Sequence, residues 1–193
     1  ATDWRANNNI AESIFQQMRF ERHPEPSWLI SSPGTGGTTA TLGRYVRYRQ
    51  HCTRVLCADA ERSVFFDYYQ SGYASLRLDH GSRIEGIGRP RVEASFLPKV
   101  IDAMVKVPDA LSLAAMHYLA EHLGRHVGGS SGTNLIGALM AAQHMKAAGE
   151  TGSMVAILCD SGERYATTYY DQDWLKAQGY ELSGLMAAVA ATV

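Results

Sequence analysis

The sequence predicts an α/β fold, a parallel sheet flanked by helices. Two observations carry this. Short apolar runs of strand length alternate with longer segments whose apolar residues recur at helical spacing. Glycine-rich turns, at residues 34–37 and 128–132, stand where a strand would pass into a helix or a helix would open. The 193 residues are enough for one domain with a substantial core.

Along the chain, Ile10, Ile14, Phe15 and Met18 give residues 9–18 a helical period, with Asn8 or Asn9 placed to cap it. Pro24 and Pro26 break the chain before a strand at 27–31. A helix over 40–50 and a strand from Arg54 to about Ala58 follow. Residues 60–98 lack a clear period and are rich in aromatics and glycines, the mark of a functional loop region. Their aromatics, Phe65 to Tyr73, suit either core packing or a substrate entrance. Residues 103–107 read as a third strand. Pro108 and Asp109 then open a helix to about Leu123, with Asp109 as N-cap and Gly124 as stop. Another helix runs from Gly128 to near Gly149, and 154–158 form a fourth, apolar strand. Ligands of such sheets bind beyond the carboxyl ends of the strands. The segments 34–38 and 160–161 are both expected there.

Residues 32–39, Ser-Pro-Gly-Thr-Gly-Gly-Thr-Thr, follow the first strand. A glycine turn into a helix leaves N–H groups pointing outward at the positive end of the helix dipole, a seat for phosphate. Threonine hydroxyls add donors. A nucleotide P-loop needs a lysine after its last glycine, and Gly37 is followed by Thr38, Thr39 and Ala40. A dinucleotide fingerprint needs a third glycine or alanine where Thr39 stands, although Asp59 falls about where a ribose-binding carboxylate would. The third reading is the monophosphate cup of a pyridoxal phosphate enzyme.

Composition narrows the classes. Lys and Arg total 18 and Asp and Glu 19, so no basic surplus points to nucleic acid. Three cysteines, Cys52, Cys57 and Cys159, are too few for a disulfide framework. Cys57 and Cys159 read as reduced core residues, as in a cytoplasmic protein. No apolar run reaches the roughly 20 residues of a membrane span. The first residues, Ala1 to Arg5, lack the basic start and apolar run of a signal peptide. His122 and His126 are four apart, but Gly124 lies between them and no third ligand is evident, so no metal site is expected. Arg44, Arg47 and Arg49 read as a solvated helix face, and Glu163 and Arg164 as surface residues that help order the turn at Ser161.

Four motifs stand in order: Gly34-Thr35-Gly36-Gly37-Thr38, Glu85-Gly86-Ile87-Gly88, Gly129-Ser130-Ser131-Gly132 and Asp160-Ser161-Gly162-Glu163-Arg164-Tyr165. Together they resemble the C-terminal part of fold type II pyridoxal phosphate enzymes of the cysteine synthase and cystathionine β-synthase group, in particular bacterial L-cysteine desulfhydrases. The resemblance covers about residues 1–179. It implies a large parallel-sheet domain over 1–182, with 183–193 as a tail, and a homodimer. It implies that Gly34, Thr35, Gly36, Gly37 and Thr38 hold the cofactor phosphate, and that Ser161 meets the pyridine nitrogen, with Asp160 as an alternative. It places Gly86 or Ile87 beside cofactor and substrate. The implied activity is β-elimination on L-cysteine, with sulfide, pyruvate and ammonia as products. Alternatives are β-replacement, a non-catalytic partner subunit, or a dinucleotide-binding domain.

The group also needs a lysine that links to the cofactor, carried in its N-terminal half in a Ser-x-Lys context. The lysines here, Lys99, Lys106, Lys146 and Lys176, stand in no such context. The expectation is a fragment or one half of a split enzyme, completed by a missing N-terminal half or a partner subunit.

Overall fold

The computed structural model describes Arg5 and residues 9–193. Asn8, the alternative cap, and the first four residues lie outside the described residues. The chain runs through α1 (Ile10–Met18), β1 (Trp28–Ser31), α2 (Gly37–Arg49), β2 (Arg54–Ala60), α3 (Phe65–Ser71), β3 (Ala103–Val107), α4 (Asp109–Leu123), α5 (Gly129–Ala147), β4 (Met154–Ala156), α6 (Gln172–Ala177) and α7 (Ser183–Thr192). The four strands form one parallel sheet in the order β3-β2-β1-β4.

Both faces of the sheet are covered, and alternation along the strands sorts the side chains. Leu29 and Val55 pack with Ala11, Phe15, Leu42 and Val46 under α1 and α2. Trp28, Ile30, Leu56 and Ala58 face the other way, onto Ile136, Ala141 and Met145 of α5. Register agrees with this sorting: Leu29 pairs Val55, and Ile30 pairs Leu56. Small residues let α5 come close. A methyl group on Gly137 would lie 2.9 Å from the Ala58 Cβ, and one on Gly132 would lie 2.0 Å from the Ser112 carbonyl oxygen of α4.

Asn9 caps α1, its carboxamide oxygen accepting from Glu12 N at 3.0 Å. Strand β2 runs to Ala60, two residues past the expected end, because it pairs β3 as far as Val107. Strand β4 stops at Ala156, two residues early. Beyond it the backbone is taken up by α5: Asn134 donates to the Ile157 carbonyl at 2.7 Å, and Ser131 Oγ accepts from Cys159 N at 3.0 Å. Asp109 is the first residue of α4 and not its cap. Its carboxylate instead accepts from Ser82 Oγ at 2.7 Å and Arg83 N at 2.9 Å, which ties the 60–98 region to the helix.

That region holds an unexpected helix. α3 is seven residues long and its own cap residue, Val64, supplies no side-chain bond. Its first-turn N–H groups are met from elsewhere: Phe66 N donates to Asp59 Oδ2 at 3.0 Å and Phe65 N to Ser63 Oγ at 3.3 Å. Phe65 is fully buried and stacks on Phe96 at 4.2 Å, so core packing is the role of the first aromatic. Residues 183–193 contain α7, which lies on α4 and buries Val189 in the same cluster as Trp28 and Ile30. No described helix is long and apolar enough to cross a membrane.

Asp59, at the end of β2, is fully buried. Burial pushes its carboxyl from 3.8 up to about 7, against the opposing pull of Ser63 and the Phe66 and Ala60 N–H groups. A raised folded value means that the neutral carboxyl stabilises the fold below the unfolded value, and that this contribution is lost as pH rises through about 7. Asp59→Asn removes the ionisation. The stability of the wild type relative to Asp59→Asn, from urea midpoints, is expected to fall as pH rises from about 4 to about 7 and then level off. A difference that stays flat over that window contradicts the assignment.

Candidate functional site

The strand order places β2 and β3 on one side of β1 and β4 on the other. The connections that leave β1 and β4 part at the carboxyl edge and leave a crevice there. The turn from β1 to α2 and the turn after β4 meet at this crevice, where two adjoining cavities share Ser32, Gly34 and Thr38.

The larger cavity, about 430 Å³, is lined by residues 32–39 together with Ile10, Thr41 and Ser95. It contains every one of the five loop residues expected to hold phosphate. Helix α2 begins inside this loop, at Gly37, three residues earlier than its apolar pattern indicates. The N–H groups of Gly37, Thr38 and Thr39 are therefore those that a helix leaves without an intrahelical acceptor. Gly36, the cap, has φ +86°, and a methyl group on it would stand 2.6 Å from the Phe96 Cα. One on Gly34 would stand 2.8 Å from the Gly86 carbonyl oxygen. Both glycines are thus required, the first by backbone conformation and contact, the second by contact alone. The loop carbonyls are turned away and bonded: Arg89 Nε donates to Gly34 O at 2.9 Å, and Ser95 Oγ donates to Thr35 O at 2.6 Å. The Thr39 hydroxyl is also turned inward, sharing a 3.0 Å hydrogen bond with Ser31. Among the described residues, the lining contains no lysine or arginine.

The smaller cavity, about 260 Å³, is walled by Glu85, Gly86 and Ile87 on one side and by Ser130, Cys159, Asp160, Arg164 and Tyr165 on the other. Arg164 pairs with Glu85 at 2.6 Å across it. Gly86, at φ +88°, adjoins the loop glycine, while the Ile87 side chain is buried with Ile84, Tyr165 and Tyr169. Tyr169 fixes this stretch, accepting from Glu85 N at 2.9 Å and donating to Arg83 O at 2.7 Å. The turn after β4 is stitched to residues 126–128 by Gly128 N to Asp160 O and Gly162 N to His126 O. Asp160 Oδ2 accepts from the Tyr165 hydroxyl at 2.7 Å. Burial and that carboxylate push the Tyr165 hydroxyl well up from its ordinary value.

Of the two residues expected near a pyridine nitrogen, Asp160 lines the cavity. Ser161 is exposed beside it and accepts from Glu163 N at 3.5 Å. Cys159 is exposed and lines the smaller cavity, contrary to its expected burial, because β4 has ended three residues before it. Asp59 does not serve a nucleotide: its carboxyl is fully buried and bonded to the Ala60 and Phe66 N–H groups. None of the four lysines lines either cavity. His122 bonds Tyr118 O and His126 stacks on Tyr170, and the described residues contain no group able to hold a metal ion.

Ser32 opens the glycine stretch but is assigned no role by sequence pattern, and Arg89 and Ser95 stand in no motif. Ser32 lines both cavities, and its buried hydroxyl has no hydrogen-bond partner among the described residues. Arg89 and Ser95 lie in the aperiodic 60–98 region, where only the spatial path of the chain brings them to the loop.

Residues 1–160 match the family described as pyridoxal-phosphate dependent enzyme. The chain is similar to L-cysteine desulfhydrase Cds1 of Mycobacterium tuberculosis (strain ATCC 25177 / H37Ra), 55% identical over 98% of this chain and 51% of that protein. It is 30% identical to cysteine synthase 2 of Schizosaccharomyces pombe (strain 972 / ATCC 24843), over 90% of this chain and 45% of that one. It is 25% identical to a cysteine synthase of Dictyostelium discoideum, over 92% and 47%. The chain spans about half the length of these curated relatives. A parallel sheet whose glycine turn and β4 turn converge at one crevice, with this match over most of the chain, identifies it as a member of the pyridoxal-phosphate dependent enzyme family.

Proposed function

We propose that this chain is the cofactor-phosphate-binding part of an enzyme that uses pyridoxal phosphate to break L-cysteine into sulfide, pyruvate and ammonia by β-elimination. The observation that carries the reading is the seat itself: outward N–H groups and hydroxyls at a helix start, with no lysine or arginine in the lining. Such a donor set suits one phosphate group held by backbone, not a triphosphate with its metal ion. The unpartnered Ser32 hydroxyl at the junction of the two cavities fits a bound polar group. The 55% identity to a protein named L-cysteine desulfhydrase supports elimination as the chemistry.

In this reading the N–H groups of residues 35–38 and the hydroxyls of Thr35 and Thr38 hold the phosphate. Gly86 and Ile87 stand on the substrate side, and Ser161 meets the pyridine nitrogen. Bound pyridoxal phosphate supplies a sink for negative charge at the substrate α-carbon. A serine hydroxyl is neutral and does not hold a proton on the ring nitrogen as a carboxylate would. The weaker sink favours loss of a β-substituent over transamination. Asp160 is the alternative contact, since its carboxylate lines the cavity. We assign the amine that takes the α-proton to another segment of the enzyme or a partner subunit, because no lysine of this chain lines either cavity. We also propose a homodimer, and a reducing, cytoplasmic setting in keeping with three free cysteines. The cysteine synthases among the relatives favour β-replacement as the second reading.

The isolated 193-residue protein, saturated with pyridoxal phosphate, is expected to release no sulfide from L-cysteine above the rate of free cofactor. Steady sulfide release by this chain alone contradicts the assignment of the amine.

Ser161→Ala in the complete enzyme is expected to shift the cofactor absorbance and to slow elimination about tenfold, the scale of one hydrogen bond to a charged or polarised group. Asp160→Asn is expected to leave the absorbance in place. The reverse pattern assigns the ring nitrogen to Asp160.

A further inference from the structure

The phosphate seat is braced by a second segment, residues 86–96, of which Ser95 also lines the cavity. Four successive contacts from this segment press on the loop. The Gly86 carbonyl lies against Gly34, Arg89 Nε donates to Gly34 O, Ser95 Oγ donates to Thr35 O, and Phe96 packs against Gly36. A peptide group in a glycine turn flips easily, because glycine accepts either sign of φ. Each flip would exchange an N–H for a carbonyl oxygen at the cavity, which repels an anion. The bonds at Gly34 O and Thr35 O hold these two carbonyls out of the seat.

We propose that Arg89 and Ser95 are positioning residues that clamp the glycine loop in its anion-accepting form, and that the Arg89 guanidinium also supplies the positive charge the cavity lining lacks. The proposal rests on the reading of the loop as a phosphate seat. Arg89 is suited to both tasks. It is half-buried, and its described hydrogen bond is to the loop carbonyl. Its own carbonyl accepts from Val64 N at 2.9 Å, which anchors the residue to the start of α3. A cation directly behind the loop lies well within the roughly 8–10 Å over which salt screens charge. Ser95 is positioned by its neighbour: Phe96 is buried and stacked on Phe65, so residue 95 is delivered to Thr35 by the packing of α3.

The test uses the purified protein, with pyridoxal phosphate and inorganic phosphate as separate probes. Wild type, Arg89→Met, Arg89→Lys and Ser95→Ala are titrated at low and high salt, with folding followed by circular dichroism. Arg89→Met is expected to bind each probe about tenfold more weakly, the effect of one lost charge-assisted bond, and to lose much of the salt dependence. Arg89→Lys is expected to restore the salt dependence, which a purely structural role would not do. Ser95→Ala, a change at an exposed position, is expected to weaken binding about threefold to tenfold with the salt dependence intact. A folded Arg89→Met that matches the wild type in affinity and salt dependence overturns the role of Arg89. An unchanged Ser95→Ala overturns that of Ser95, and it carries the test of the clamp if Arg89→Met does not fold. Failure of the wild type to bind either probe overturns the phosphate reading, and the clamp with it.

Discussion

In the function proposed, the molecule depends on one constraint: an anion is to be held by backbone amides, with no charged side chain among the described residues of the lining. Amides must then face one point, and their carbonyls must be satisfied elsewhere. This condition accounts for Gly34 and Gly36, whose missing side chains let residues 86 and 96 approach. It accounts for α2 starting within the loop, so that its dipole and free N–H groups converge on the cavity. It also gives the aperiodic 60–98 region a purpose, as the outer wall that bonds the carbonyls.

That wall is held in turn by groups far from the cavity. Asp59 and Ser63 cap α3, α3 places Phe65, and Phe65 stacks on Phe96 beneath the loop. Asp109 fastens residues 82 and 83, and Tyr169 fastens residues 83 and 85. Residues 85–88 and the glycine loop therefore touch through Gly86 and Gly34.

Strands and long helices were legible because their apolar periods are local. The 19 residues of α5, the runs at β1 and β3, and the Gly124 stop all declare themselves within a window of one element. The ordered glycine motifs made the loop and the β4 turn legible in the same way. What sequence pattern hid is non-local. α3 is seven residues capped by Asp59 from another element, Asp109 serves a distant loop where a cap was expected, and Cys159 is exposed because β4 ends early. The bonds of Arg89 and Ser95 to the loop span 55 and 60 residues of chain, beyond any periodicity.

The central claim is that the loop seats the phosphate of pyridoxal phosphate. Phosphorus-31 resonance of the cofactor mixed with the protein, followed across pH, tests it most directly. A phosphate enclosed by amides keeps its double charge, so a shifted signal that stays constant from about pH 5 to 8 is the result expected. A signal that titrates near pH 6, as a free phosphate monoester does, would contradict the claim.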